Sequence, residues 1–196
     1  MHISVSNADA APKLPYFRGK AAVEGGLKAS GVPYTIVRPT LIFGSGDILI
    51  NNIAWMLRRF PVFAVPDRTC RVQPISGEDV AAVAIEGANR ESDAIVDAFG
   101  PETLTFRELV EAIARAVGSN ARIVAVPAPI AVAAAWAIGT MLGDTTLTRD
   151  ELAGLMKNLL VCPGAPTGKT RFTDWIAANA PQVGHFYASE LARHFK

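Results

Sequence analysis

The chain has 196 residues, of which 50% are hydrophobic and 19% are charged, and its formal net charge is +1. This composition suits the packed core of one domain, or of one domain and a small lobe, and excludes a disordered chain. The sequence has no basic run, so we expect no nucleic-acid partner. Cys70 and Cys162 lie far apart and lack a metal-type spacing, so we expect no metal and no disulfide framework. The sequence also has no signal-peptide pattern, so we expect a cytoplasmic location.

The first part of the chain has the strand, helix, strand order of a parallel sheet. Residues 1–6 are predicted as a short strand, and residues 16–30 as a helix that ends at Gly31, a typical helix-stop residue. A buried strand is predicted at 34–37. Because parallel neighbours need a crossover, this order indicates a βαβ unit.

The middle of the chain contains helix-capping residues. Asp47 is predicted to cap a helix at 48–59, Ser76 to cap the next, and Thr105 with Glu108 to form a capping box. Extended segments are predicted between these helices, at 61–66, 71–75, 94–99 and 121–126.

Beyond residue 127 mostly helices are predicted. The apolar run 129–142 is shorter than the roughly 20 residues of a membrane span, so we expect a buried or partner-covered helix. A membrane-surface helix is the less favoured alternative because flanking Lys and Arg are lacking. Further helices are predicted to begin at Thr148, at Thr170 or Thr173, and at His185, the last extending to Phe195. We divide the chain into a partial sheet domain at 1–127 and a helical lobe at 128–196.

Tyr16 and Lys20 form a Tyr-x-x-x-Lys pair at the start of the first predicted helix. Residues four apart lie on one helix face, so both side chains could reach one pocket. A neighbouring ammonium favours the phenolate, and such a tyrosine can exchange a proton with a substrate oxygen. Ser4 and Ser6 precede the pair in a short β-like run.

Two glycine-rich segments imitate nucleotide loops. Residues 164–170 resemble a P-loop, but only three residues separate the glycines, and Pro166 removes an amide that a phosphate would use. Gly44-Ser45-Gly46 lacks the third glycine of a dinucleotide loop, and Asp47 would repel a pyrophosphate. We therefore predict neither a nucleotide hydrolase at 164–170 nor a first phosphate loop at Gly44.

Several motifs follow one another in a characteristic order. They are Ile3-Ser4-Val5-Ser6, Tyr16-x-x-x-Lys20 with Glu24, Tyr34 to Thr40, Ile42-Phe43-Gly44, Gln73-Pro74-Ile75, Glu78-Asp79-Val80-Ala81 and Phe99 to Phe106. Together they resemble the back half of an extended or atypical short-chain dehydrogenase/reductase (SDR). They are most similar to the branch of the nucleotide-binding accessory subunit of respiratory complex I, with sugar-nucleotide epimerases as more distant relatives. The resemblance implies an α/β fold: the back half of a Rossmann-type doubly wound sheet with a mostly helical C-terminal lobe.

The resemblance also implies roles for individual residues. Tyr16 would be the general acid/base, and Ser6, or Ser4 if the offset differs, would hold the substrate oxygen. Lys20 would hydrogen-bond the nicotinamide ribose of NAD or NADP. The loop residues Pro39, Thr40 and Gly44 would lie along the nicotinamide, and Asn51, Asn52 and Arg71 would face a small-molecule substrate.

The glycine-rich pyrophosphate loop of this family has no counterpart in the sequence. We therefore expect NAD or NADP to bind only if an N-terminal half is supplied, and expect the chain alone to be an inactive reductase or epimerase. A truncation, or completion by a protein partner or a second copy covering exposed sheet edges, would account for this. The alternative is a non-catalytic binding or assembly module that keeps the SDR fold.

Overall fold

The computed structural model describes residues 1–66, 70–90, 92–143 and 149–189. The β-strands are β1 (His2–Ile3), β2 (Thr35–Pro39), β3 (Ile42–Phe43), β4 (Val62–Pro66), β5 (Arg71–Val72), β6 (Ile75–Ser76), β7 (Ala94–Ala98), β8 (Leu104–Thr105) and β9 (Arg122–Val126). The α-helices are α1 (Pro15–Ala29), α2 (Ile48–Arg59), α3 (Gly77–Ala88), α4 (Phe106–Ala116), α5 (Ala128–Leu142), α6 (Arg149–Met156) and α7 (Phe172–Asn179). The predicted α/β class is confirmed.

The chain forms two compact units that alternate along the sequence. In the described residues, the first unit comprises 1–44, 71–90, 92–103 and 153–172. The second comprises 45–66, residue 70, 104–143, 149–152 and 173–189. The division between residues 127 and 128 that the sequence suggests stays a prediction.

The first unit is built on a parallel sheet with the strand order β1-β2-β7. Ile3 lies opposite Val37, and Val37 lies opposite Val96. A second parallel pair joins β3 to β6, with Phe43 opposite Ser76. These pairings confirm the predicted βαβ order, and the sheet places the start of α1 beside β1.

Helices cover both faces of β2. Val37 packs with Val80 and Ala84 of α3, whereas the neighbouring Arg38 bonds to Glu24 of α1. Successive side chains of a strand point to opposite faces, so α1 and α3 lie on opposite sides of the sheet. This is the doubly wound arrangement that the sequence predicts.

A buried carboxylate holds α1 on the sheet. Glu24 is 1% exposed, and its two oxygens accept hydrogen bonds from Arg38 Nε at 3.0 Å and Nη2 at 2.6 Å. The Ser4 hydroxyl donates to the same carboxylate at 2.5 Å. Burial acts to raise the pKa of Glu24, but the hydrogen bonds from Arg38 and Ser4, with the charges of Arg38 and Lys28, outweigh it and hold the pKa below 4.5.

Three helices begin at the predicted caps. The Asp47 carboxylate accepts from Ile50 N at 2.6 Å, and the Ser76 hydroxyl accepts from Asp79 N at 3.0 Å. Thr105 and Glu108 form the predicted capping box. Each capping side chain accepts a hydrogen bond from a backbone N–H that has no partner within the helix. The starts of these three helices can therefore be predicted from the sequence.

The second unit contains the parallel pair β4–β9, with Val65 opposite Ala125. Within it α2 and α4 bury their apolar faces, including Ile53, Leu57 and Ile113. Helix α5 packs against β4 but leaves Ile130 54% and Trp136 69% exposed, so the chain by itself does not bury this helix fully. That a partner covers the helix, the other form of the expectation, stays a prediction. Among the described residues, no helix combines the length and apolar character that a membrane crossing requires.

The predicted helix at 185–195 is wrong over residues 185–189, which adopt no helical structure. Side chains of α2 hold this segment: Asn51 bonds to Gly184 N and Phe186 O, and Asn52 bonds to Ala188 N and O. Backbone groups engaged in this way are unavailable to a helix. Residues 190–196, and the predicted cap Thr148 before α6, lie outside the described residues.

We predict that Glu24→Gln destabilises the chain by about 3 kcal/mol, because breaking a buried ion pair leaves the Arg38 charge without its main partner. Urea unfolding followed by circular dichroism measures this loss. The matched control is Glu86→Gln, which removes an exposed pair with Arg90 and costs no more than about 0.5 kcal/mol. Equal losses in the two variants would contradict the role assigned to Glu24.

Candidate active site

Tyr16 and Lys20 meet at the start of α1, as their spacing predicts. The Lys20 ammonium lies 5.9 Å from the centroid of the Tyr16 ring, within the range of a cation–π contact. Tyr16 is 53% exposed and packs edge-to-face on Phe17, which is buried. An exposed phenol thus lies beside a cation.

Lys20 also bonds to the outer side of β1. Its ammonium donates to Ile3 O at 3.1 Å. Ser4 N and Ser6 N donate to Val37 O and Pro39 O, so the alternate residue Ile3 directs its backbone groups away from β2. Lysine at a sheet edge hinders further strand pairing. Lys20 therefore has two contacts, with the Tyr16 ring and with the edge strand.

Both candidate serines are buried and donate their hydroxyl protons inward. Ser6 is 0% exposed and donates to Leu159 O at 2.6 Å. Ser4 donates to Glu24. A serine hydroxyl has one proton to donate, so in this arrangement neither serine can give a hydrogen bond to a substrate oxygen.

The loop predicted to follow the nicotinamide is tied to the chain around it. The Thr40 hydroxyl donates to Gln73 O, and Thr40 N donates to Ala98 O at 3.0 Å. Pro39 O accepts from Ser6 N at 2.8 Å. The Thr40 side chain therefore stabilises this end of the sheet, and Gly44, at the end of the loop, is half-buried.

Gln73 connects two segments of the first unit, and the sequence predicts no functional role for it. Its side-chain carbonyl oxygen accepts a hydrogen bond from Cys162 N at 3.1 Å, and its backbone N–H donates to Leu160 O at 2.9 Å. Both cysteines are buried free thiols, and burial raises the pKa of the Cys162 thiol to about 11. Cys162 is thus an unreactive core residue at neutral pH.

The three residues predicted to face the substrate are divided between the two units. Asn51 and Asn52 belong to the second, where their amides hold the 184–188 segment described above. Arg71 belongs to the first, where its amide donates to Asn158 Oδ1 at 2.7 Å and its side chain is exposed. Sequence signals do not reveal such long-range amide bonds.

The P-loop-like segment is bound to a carboxylate of α3. Lys169 N and Thr170 N donate to Asp79 Oδ2 at 3.1 and 2.9 Å. These amides are among those that a phosphate would need, so the segment is closed by the chain's own anion. The start of α2 is similarly occupied by the carboxylate of Asp47. These contacts support the two predictions, that 164–170 is not a nucleotide hydrolase site and that Gly44 does not begin a first phosphate loop, and both stay predictions.

Comparisons with known proteins identify relatives. The chain matches none of the protein-family models. It is 27% identical over 179 residues to a ceramide reductase of Caulobacter vibrioides, covering 86% of the chain and 50% of the relative. It is 25% identical over 169 residues to the mitochondrial NADH-ubiquinone oxidoreductase 40 kDa subunit of Neurospora crassa, covering 86% of the chain and 45% of that subunit.

A solved structure shows the same fold. The NADPH-dependent quinone oxidoreductase QOR2 of Escherichia coli matches with a TM-score of 0.71 at 19% identity, over 91% of this chain and 63% of that one. The sheet and its helices therefore define a Rossmann-type protein. The chain is related to the extended and atypical SDRs, including the complex I branch, which confirms the resemblance predicted from the sequence. It spans about half the length of the two curated relatives.

We predict that Asp79→Asn destabilises the chain by about 2 kcal/mol at neutral pH, because charged hydrogen bonds to the 169–170 amides are weakened. Burial acts to raise the pKa of Asp79, but hydrogen bonds from Thr170, Ser76 and Lys169 outweigh it and hold the pKa below 3.8. A carboxylate whose pKa is lower in the folded chain than in the unfolded chain stabilises the fold at pH values above its unfolded-state pKa. This stabilisation is lost as the pH falls through the folded-state pKa. The difference between wild type and variant should therefore shrink below pH 3.8.

Chemical unfolding at a series of pH values measures this dependence. Glu78→Gln is the matched control, because Glu78 is exposed in the same helical turn. A wild-type advantage over Asp79→Asn that stays constant through the acid range would be inconsistent with an ionised, hydrogen-bonded Asp79.

Proposed function

We propose that this chain carries the Tyr-x-x-x-Lys part of an NAD(P)-dependent oxidoreductase. The observation that carries the proposal is the contact between the Lys20 ammonium and the half-exposed Tyr16 ring, 5.9 Å apart. Reduction of a carbonyl group adds a hydride to carbon and a proton to oxygen. The nicotinamide supplies the hydride when bound, and Tyr16 supplies the proton through its hydroxyl.

Lys20 can serve Tyr16 and the cofactor without leaving β1. A lysine ammonium has three N–H donors, and one of them is given to Ile3 O. The remaining two are available to a ribose hydroxyl or to the phenolate. Its positive charge stabilises the phenolate left after proton transfer.

Ser6 and Ser4 remain candidates for holding the substrate oxygen, under one condition. The Ser6 hydroxyl donates its hydrogen bond to Leu159 O, and the Ser4 hydroxyl donates to Glu24. Either hydroxyl would therefore have to rotate before it could donate to a substrate oxygen. The proposal therefore assigns proton donation to Tyr16 alone. The Thr40 hydroxyl is given to Gln73 O, so Thr40, like Pro39 and Gly44, would contact the nicotinamide through its backbone.

The residues fit one end of NAD or NADP. Lys20 suits the nicotinamide ribose, whereas the described residues contain no glycine-rich cradle for the pyrophosphate. The helix start nearest in sequence to Gly44 is capped by Asp47, whose charge opposes a phosphate. We therefore infer that residues 1–196 bind the cofactor weakly and turn over slowly unless a glycine-rich βαβ unit is supplied.

The substrate class that we favour is an apolar carbonyl compound of low water solubility, such as a quinone. The helical region from 128 to 142 contains no charged residue, which suits an apolar substrate better than a sugar nucleotide. The names of two relatives and one structural neighbour agree with this class, since they refer to ceramide, ubiquinone and quinone. Asn51, Asn52 and Arg71 remain proposed substrate contacts, and the two asparagines would need the 184–188 segment to move.

A second candidate function is a non-catalytic binding or assembly module, with a protein partner or a second copy. It is favoured by the inward bonding of both serines, and one relative is named as a subunit of NADH-ubiquinone oxidoreductase. Under this alternative the Tyr16 hydroxyl has no role. The cytoplasmic location stays a prediction from the sequence.

We predict that Tyr16→Phe lowers the rate of NADPH-dependent quinone reduction by about 100-fold or more, the usual size of a general-acid contribution. Consumption of NADPH with a short-chain benzoquinone measures the rate. Tyr34→Phe is the matched control, because it removes a phenol hydroxyl outside the proposed site. Equal, measurable rates in wild type and Tyr16→Phe would favour the non-catalytic module.

A further inference from the structure

Helix α5 presents an exposed, uncharged face. Exposed residues recur along one side at helical spacing: Pro129, Ile130, Ala133, Trp136 and Thr140. Trp136 and Ile130 are 69% and 54% exposed. On the opposite side Ala131 and Gly139 are buried. The helix contains no Asp, Glu, Lys or Arg between 128 and 142.

We propose that this face docks on the surface of a lipid bilayer, lying in the interface rather than crossing it. Its length of about 22 Å is too short to span the roughly 30 Å hydrocarbon core. Tryptophan has an apolar ring and one N–H donor, which suits the boundary between headgroups and acyl chains. The apolar Ile130 side chain enters the same boundary beside Trp136.

The size of the face favours lipid over a second copy of the chain. The stripe from Pro129 to Thr140 is about 17 Å long and about 10 Å wide, and so covers about 170 Å². A stable protein interface buries about 800 Å² on each partner. A bilayer needs no complementary pocket, so a small apolar stripe can insert into it where it could not hold a dimer together.

The lack of charge sets the type of membrane that binds. Amphipathic helices rich in Lys and Arg gain affinity from anionic lipids, whereas α5 has no such residue to offer. Insertion of α5 also carries no desolvation penalty for a buried charge. Binding should therefore depend on apolar burial, with little effect of lipid charge or salt.

This inference rests on the proposed function in one respect. A bilayer-dissolved substrate such as a quinone is reached most directly by an enzyme held at the membrane surface. The docking itself needs only α5, so vesicle binding and NADPH-dependent turnover are separate measurements. Turnover without vesicle binding would remove the inference alone, and vesicle binding by a chain whose turnover is unchanged in Tyr16→Phe would remove the proposed activity alone.

Co-sedimentation with phosphatidylcholine vesicles, with and without phosphatidylserine, tests the docking. We expect wild type to bind both vesicle types equally in low and high salt. Trp136→Ala should lower the partition coefficient about tenfold, which corresponds to about 1.4 kcal/mol. Ala133→Asp should also lower it, by placing a charge in the stripe without removing apolar area.

Phe186→Ala is the matched control, because Phe186 is 84% exposed and lies outside α5. It should bind vesicles as the wild type does. Circular dichroism confirms that each variant is folded. The inference is overturned if the wild type does not bind, if Trp136→Ala and Phe186→Ala lose binding equally, or if Trp136 instead drives self-association without lipid.

Discussion

The buried carboxylate of Glu24 is the interaction on which the first unit depends. Glu24 belongs to α1, and its carboxylate accepts hydrogen bonds from Arg38 of β2 and from Ser4, which follows β1. Three segments are therefore fixed around one charge that is 1% exposed. The carboxylate lies one helical turn beyond Lys20, so the same contacts that anchor α1 also set the direction from which Tyr16 and Lys20 face the sheet edge.

That constraint gives the Tyr-x-x-x-Lys pair a meaning that four residues alone do not have. On an unanchored helix, the contact between Lys20 and the Tyr16 ring would be one of many side-chain arrangements. Here the ion pair between Glu24 and Arg38 holds α1 on the sheet, and Lys20 itself is fixed by its hydrogen bond to Ile3 O. The chain's other nucleotide-like segments are closed by its own carboxylates, Asp79 and Asp47, which leaves α1 as the best-supported place for cofactor chemistry.

Much of the fold was predicted from short sequence motifs, because each of these motifs determines the structure of residues close to it in the chain. The caps at Asp47, Ser76 and Thr105, and the βαβ order before residue 40, are of this kind. The sequence does not reveal long-range hydrogen bonds: Ser6 donates to a carbonyl 153 residues away, and Asn52 bonds to Ala188 in a segment for which a helix is predicted. For the site, spacing predicted the Tyr16–Lys20 contact, but it could not reveal that both serine hydroxyls are committed elsewhere.

The most direct test of the account is an NMR titration of the isotope-labelled chain with NADPH. We expect weak, fast-exchange shifts that centre on Tyr16, Lys20 and the loop from Pro39 to Gly44. The amides of Lys169 and Thr170 should not move, because Asp79 already occupies them. No shift at saturating NADPH, or shifts confined to residues 164–170, would contradict the assignment of the cofactor site to α1.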